Sequence, residues 1–226
     1  MRAFLFWMRN VTRMQDIHEV RRLAAPGPRN IGIAVAKDRI WVGSVERQAV
    51  YAMNPVDWTQ IAEATVPGDP IGMTAHNGEL LVVVGQGEED DRYIYRFVPG
   101  GGFKSRLACP DFTGSHLAVH GDTTYLSQAF NHKILQLDAK GSVVREIDLP
   151  RAPIGMTLVD GEFCLVTSDD PNNDEAFLSR IGLDPSAAPY QERARIPFRA
   201  RGLAFDGTHF WTNDRSKQET IAFLPP

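Results

Sequence analysis

One phrase occurs five times in this 226-residue chain and constrains its fold more than any other feature. A small residue, usually glycine, sits inside an apolar run: Ile31-Gly32-Ile33-Ala34-Val35, Ile71-Gly72-Met73-Thr74-Ala75, Ser115-His116-Leu117-Ala118-Val119, Ile154-Gly155-Met156-Thr157-Leu158 and Arg201-Gly202-Leu203-Ala204-Phe205. From one glycine-equivalent position to the next the intervals are 40, 44, 39 and 47 residues. Periods of about 40–50 residues mark four-stranded propeller blades, which cannot bury their faces alone and stack on their neighbours.

The interior of each repeat supports this reading. The first strand ends in a tight turn at Lys37-Asp38, Asn77-Gly78, Gly121-Asp122, Asp160-Gly161 or Asp206-Gly207. Such pairs between apolar runs supply the positive φ angles of a two-residue hairpin. Second strands follow, among them Ile40-Trp41-Val42, Leu80-Leu81-Val82-Val83-Val84 and Phe163-Cys164-Leu165-Val166. They are apolar beyond simple alternation, which suits burial on both faces. Third strands such as Tyr93-Ile94-Tyr95-Arg96-Phe97 alternate more clearly, and fourth strands such as Val143-Val144-Arg145-Glu146-Ile147 are polar, as outer edges are.

The last repeat runs out after three strands, while Ile17 to Leu23, ahead of the first repeat, reads as an alternating strand. The expected architecture is therefore an all-β, five-bladed propeller of four-stranded blades, its last blade closed by the N-terminal strand. It occupies residues 15–226 as one domain. Residues 1–14 form an extension, expected to pack loosely or to be disordered.

Composition narrows the function classes. A net charge of −4, with the basic residues scattered, gives no footprint for nucleic acid or an anionic membrane. No apolar stretch approaches the roughly 18 residues that span a bilayer. Two cysteines, Cys109 and Cys164, make neither a disulfide framework nor a metal motif. A cytoplasmic location is the expectation. The chain lacks a Gly-x-Ser-x-Gly elbow, and Gly100-Gly101-Gly102 lacks the Lys-Ser/Thr of a phosphate loop.

The wording of the repeats, above all Gly202-Leu203-Ala204-Phe205-Asp206-Gly207-Thr208-His209-Phe210-Trp211, resembles the NHL, YncE and SMP-30 group of bacterial propellers, which includes the virginiamycin B lyase type. The resemblance covers residues 17 to 226 and implies an architecture shared by lactonases, lyases, cyclotransferases and non-catalytic scaffolds. Likeness to the SMP-30 type would imply a divalent metal held by a carboxylate at the opening of the first inner strand, with Asn and Asp from other blades. Here that opening reads Arg29-Asn30-Ile31-Gly32, without a carboxylate.

Strand order determines which loops share a face. Connections into first strands and connections between second and third strands open at one mouth; the hairpins carrying His76, His120 and His209 lie at the other. His116 stands where the other repeats have glycine and is a candidate general base or metal ligand, or else a packing histidine. His132 is a second proton-transfer candidate. Arg47, Gln86, Gln128, Arg151, Arg201, Asn213 and Arg215 are candidate substrate-binding residues at the same mouth. Asp69, Asp169, Asp170 and Asp214 are candidate ligands for Mg²⁺ or Ca²⁺, hard cations that take oxygen donors.

Two functions stay open on the sequence. The first is a small-molecule site at the top of the channel, acting as a hydrolase or lyase in which a histidine moves a proton while a metal or an arginine stabilises negative charge. The second is a non-catalytic propeller that binds a protein or peptide on one face.

Overall fold

The structure is a computed structural model that describes residues 14–170 and 175–226; the N-terminal extension lies outside them apart from Met14. Twenty strands form five antiparallel four-stranded sheets. Blade 1 comprises β2 (Asn30–Ala36), β3 (Arg39–Ser44), β4 (Ala49–Met53) and β5 (Gln60–Thr65). Blade 2 comprises β6 (Asp69–His76), β7 (Glu79–Gln86), β8 (Asp91–Val98) and β9 (Gly102–Ala108). Blade 3 follows with β10 (Leu117–His120), β11 (Thr123–Gln128), β12 (Lys133–Leu137) and β13 (Val143–Asp148). Blade 4 holds β14 (Ala152–Val159), β15 (Glu162–Ser168), β16 (Ala176–Gly182) and β17 (Gln191–Ile196). Blade 5 takes β18 (Ala200–Phe205), β19 (Phe210–Asp214) and β20 (Glu219–Leu224), and its outer strand is β1 (His18–Ala24).

β1 pairs antiparallel with β20, from His18 opposite Leu224 to Ala24 opposite Glu219. This is the expected closure, and it removes the open edge that the three-stranded last repeat would otherwise present.

The core is divided into five slabs, one at each blade–blade interface. Val82 and Val84 pack toward Trp41, Val50 and Ala52 of blade 1. Val83, one residue out of phase, packs toward Leu117, Leu126 and Leu135 of blade 3. Period-two alternation thus sends one strand into two interfaces, which is why the second strands carry apolar residues without a break. Both cysteines are buried in these slabs, as small apolar side chains would be.

Two local features differ from expectation. β4 is buried along its whole length rather than alternating, because it lies between the slabs of blades 1/2 and 5/1. The first turn of blade 5 spans four residues, Asp206 to His209, instead of two. Asp206 Oδ1 accepts the amides of Thr208 and His209 at 2.8 and 2.6 Å, and Oδ2 accepts the Trp211 indole at 2.7 Å. The hairpins at Asn77-Gly78 and Asp160-Gly161 keep positive φ at both positions, as two-residue turns require.

The inner strands approach closely at the repeated glycine. A Cβ at Gly72 would lie 2.1 Å from the Ser115 carbonyl oxygen, and one at Gly202, where φ is +71°, would lie 2.4 Å from that of Ile31. These contacts draw in the waist of the channel. On either side lie separate cavities, one of about 410 Å³ at the loop mouth and a smaller one of about 170 Å³ toward the hairpins.

Candidate functional site

The loop-mouth cavity takes residues from every blade. Its apolar floor includes Ile31, Ile71, Ala152 and Ile154; its polar wall includes Arg92, Ser115, His116, His132, Asp169, Arg201 and Arg215; Ala129 and Phe130 lie toward the rim. The inner strands place the floor, because the residue before each glycine position points toward the mouth. Ala129, Phe130 and His132 after β11, Asp169 after β15 and Arg215 after β19 supply the rim.

His116 occupies space that only glycine at position 72 leaves open: a Cβ there would lie 2.9 Å from its Nδ1. Its ring donates to the Ile154 backbone carbonyl of blade 4, and its amide donates to Ser127 Oγ at 3.0 Å. The residue therefore ties together the inner strands of blades 2, 3 and 4. Burial, then the charges of Arg201 and Arg92, push its imidazole down to about 3. The ring is neutral near pH 7 and a weak base there. The geometry favours the packing reading of this histidine while leaving its face on the cavity.

The arginines dominate the electrostatics. Arg201 is only 7% exposed, and its Nη1 donates to the Ala200 carbonyl at 2.8 Å. Burial, then Arg215 and Arg199, lower its guanidinium to about 10, against the opposing pull of Asp170. Arg215 is half-buried, and its guanidinium is lowered by burial and then by Arg199 and Arg29. Among the described residues its side chain has no hydrogen bond and no ion pair. Arg92, which sequence reasoning missed, donates to the Gly114 carbonyl at 2.6 Å and pairs with Asp90. Its position just after the acidic Glu88-Glu89-Asp90-Asp91 run hides it in the sequence.

Of the residues singled out by sequence, the cavity brings together His116, His132, Arg201, Arg215 and Asp169. The others lie outside its lining. Arg151 pairs with Asp169 and with Glu192 at 2.6 Å, and covers the Phe177 ring at 4.4 Å. Gln128 is buried and bolts its loop to the carbonyls of Pro110 and Thr113 at 3.1 and 2.9 Å. Asn213 donates to the Ile31 carbonyl at 3.2 Å and accepts from Thr220 at 2.9 Å. Gln86 accepts from Tyr95 and Arg106, and Arg47 is exposed on the loop after β3.

The candidate metal ligands do not converge. Asp69 accepts from Gln48 at 3.1 Å; Asp214 is buried against Arg22 at 3.0 Å and accepts the amides of Ser216 and Lys217. Asp170 accepts Ser168 Oγ through its backbone carbonyl, and Asp169 faces Arg151. Asn30, at the opening of the first inner strand, donates to the Gly27 carbonyl and leaves Oδ1 buried without a partner. One amide oxygen is not a cation site. Among the described residues no three His, Cys, Asp or Glu side chains gather as a metal would require. Among the described residues Asp69, Asp169, Asp170 and Asp214 thus present no convergent set of oxygen donors for Mg²⁺ or Ca²⁺.

Fold and cavity together define a five-bladed β-propeller with an arginine-lined pocket at one mouth of its channel. No protein-family model matches the sequence, and no curated protein matches it. Among solved structures the chain is similar to the glutaminyl cyclase of Myxococcus xanthus, with a TM-score of 0.70 and 8% identity over 93% of this chain and 98% of that one. It is also similar to the PQQ-bound aldose sugar dehydrogenase of Streptomyces coelicolor, at 0.59 and 13% over 93% and 98%. A third is the virginiamycin B lyase of Staphylococcus aureus, at 0.52 and 13% over 90% and 98%. All three are β-propellers, and at these identities the likeness is one of fold. No helix among the described residues is long and apolar enough to cross a membrane.

Proposed function

We propose that this propeller binds a small anionic molecule, a carboxylate or a phosphate, in the cavity at the loop mouth. The observation that carries the reading is Arg215: a half-buried guanidinium on the cavity wall whose main charge interactions among the described residues are with the arginines Arg199 and Arg29. Holding like charges together in a partly desolvated place is costly, and an anion offsets that cost while accepting charge-assisted hydrogen bonds. Arg92 and Arg201 reinforce the positive field from other parts of the wall.

The same wall fits lyase or hydrolase chemistry better than plain storage. Arginines stabilise charge that develops on a reacting oxygen, and His132, on the cavity wall, supplies a group able to move a proton. His116, held neutral, acts as a positioning residue. Solved propellers similar in fold include a cyclase and a lyase, so the architecture accommodates such reactions elsewhere. The protein-docking alternative draws less support. The exposed valines and isoleucine Val20, Val56, Ile61, Val143 and Val144 are spread over different blades. The two exposed aromatics, Phe112 and Phe130, are the remaining large apolar side chains left in water among the described residues.

The test is a thermal melt in sodium propionate or phosphate against sodium chloride of equal ionic strength. An anion at a hundred times its Kd raises stability by about 2.7 kcal/mol. Arg215→Met should remove that rise and leave the unliganded protein as stable as before or more so, since like-charge repulsion is relieved. Equal melting temperatures in all three salts would remove the anion reading.

A further inference from the structure

Arg92, Arg201, Arg215 and Asp169 share the lining of the cavity with hydrocarbon from the inner strands. Arg201 and Arg215 both come from blade 5. The floor carries Ile31, Ile71, Ile154 and Ala152 from three other inner strands. At the rim stands Phe130, 76% exposed, an aromatic ring that the fold leaves in water although it lines the cavity.

Phe130 is not on a loose loop. Gln128, 3% exposed, holds the start of the segment to Pro110 and Thr113, and Asn131 donates to Gln128 Oε1 at 2.9 Å. The His132 amide returns to the Ala129 carbonyl, and the His132 carbonyl accepts the Leu149 amide at 2.8 Å. A ring carried on a backbone held in this way presents its apolar face without the cost of ordering the loop, a condition that favours its contribution to binding.

We propose that the ligand is an amphipathic acid, a small molecule with one anionic head and an aromatic or branched apolar body. The head meets Arg201 and Arg215, and the body lies between the isoleucine floor and the ring of Phe130. This rests on the anion reading above and adds the nature of the rest of the molecule. A cavity of about 410 Å³ lies near the lower end of the range that holds small ligands, which matches an acid of one ring rather than a polymer segment. Burial of apolar surface on the scale of one aromatic ring is worth about tenfold or more in affinity.

The experiment is isothermal titration of the full chain with three probes: propionate, 3-phenylpropionate and the neutral 3-phenylpropionamide. The phenyl acid should bind at least tenfold more tightly than propionate and at least tenfold more tightly than its amide. Phe130→Ala, a change at an exposed position, should narrow the gap between the two acids at least fivefold. If both acids bind equally and Arg215→Met abolishes both, the amphipathic proposal is overturned while the anion reading stands. If the amide matches the phenyl acid, or if neither acid binds, the anion reading itself fails and this one falls with it. A Phe130→Ala protein that keeps the full gap overturns the role given to that ring.

Discussion

Arg22 of β1 donates to the carboxylate of Asp214 at the end of β19 at 3.0 Å, joining residues 192 positions apart. The same guanidinium reaches Glu219 and Glu19, both at 2.6 Å, and covers the ring of Phe198 at 5.3 Å. Its side chain is 27% exposed, whereas that of Asp214 is 0% exposed. Hydrogen bonds to three carboxylates outweigh partial burial and hold its ionisation well above the ordinary arginine value.

Removing that clasp should be costly. Arg22→Ala leaves Asp214 buried with only backbone amides for support, and losing one partner of a buried pair costs about 3 kcal/mol. Glu19→Gln, at the exposed end of the cluster, should cost under about 1 kcal/mol. Urea unfolding of both variants checks the contrast. Equal losses would mean that β1 is held by its ladder and apolar contacts rather than by this arginine.

The waist of the channel gives a second prediction. Gly72→Ala sets a methyl group against the Ser115 carbonyl, backbone that cannot swing aside, and should destabilise by about 3 kcal/mol. Gly101→Ala, whose Cβ would have side-chain rather than backbone atoms as its nearest neighbours, Val98 Cγ1 first at 3.2 Å, is the milder control. Comparable melting temperatures for the two would show that the inner strands can move apart.

His116 makes stability depend on acidity. Its folded value is about 3 against an ordinary 6.5, so between those limits the unfolded chain holds a proton that the folded chain does not. This contribution is complete above about pH 6.5 and shrinks as pH falls toward 3. From pH 7 to pH 5 the loss should be about 2 kcal/mol. His116→Gln should flatten that part of the profile, even if it lowers stability throughout. A wild-type profile flat over this interval would sink the assignment.

Divalent ions give the fourth. Asp69, Asp169 and Asp214 face protein donors, so millimolar Mg²⁺ or Ca²⁺ should leave the melting temperature of EDTA-treated protein within a degree. A rise of several degrees would mean that these carboxylates rearrange around a cation.

The fold was legible because a repeat is read many times over. Five copies of one phrase, each with its hairpin, outweigh ambiguity in any single strand, and a last repeat one strand short called for the N-terminal one. The site was half legible. Histidine in a glycine register is visible in sequence, and Arg201, Arg215, His132 and Asp169 followed from counting strand ends. Gln128, Asn213 and Asp214 also lie at strand ends, yet they bolt loops and close the ring. A polar residue at such a position serves structure or ligand according to what the ring brings opposite it, and that partner is distant in sequence. Arg92 was obscured by the four acids before it.

The stitching of β1 to β20 also sets an order of events during synthesis. β1 leaves the ribosome first among the blade strands, and its partner, beginning at Glu219, leaves last. At about 5–20 residues per second, some 200 residues of translation keep it waiting roughly 10 to 40 seconds. Through that interval an alternating strand travels without its ladder, and four finished blades wait for the one that completes the circle. Its charges, Glu19, Arg21 and Arg22, are the kind that discourage pairing with a stranger. The residues that later lock the ring thus also give the waiting strand a charged edge.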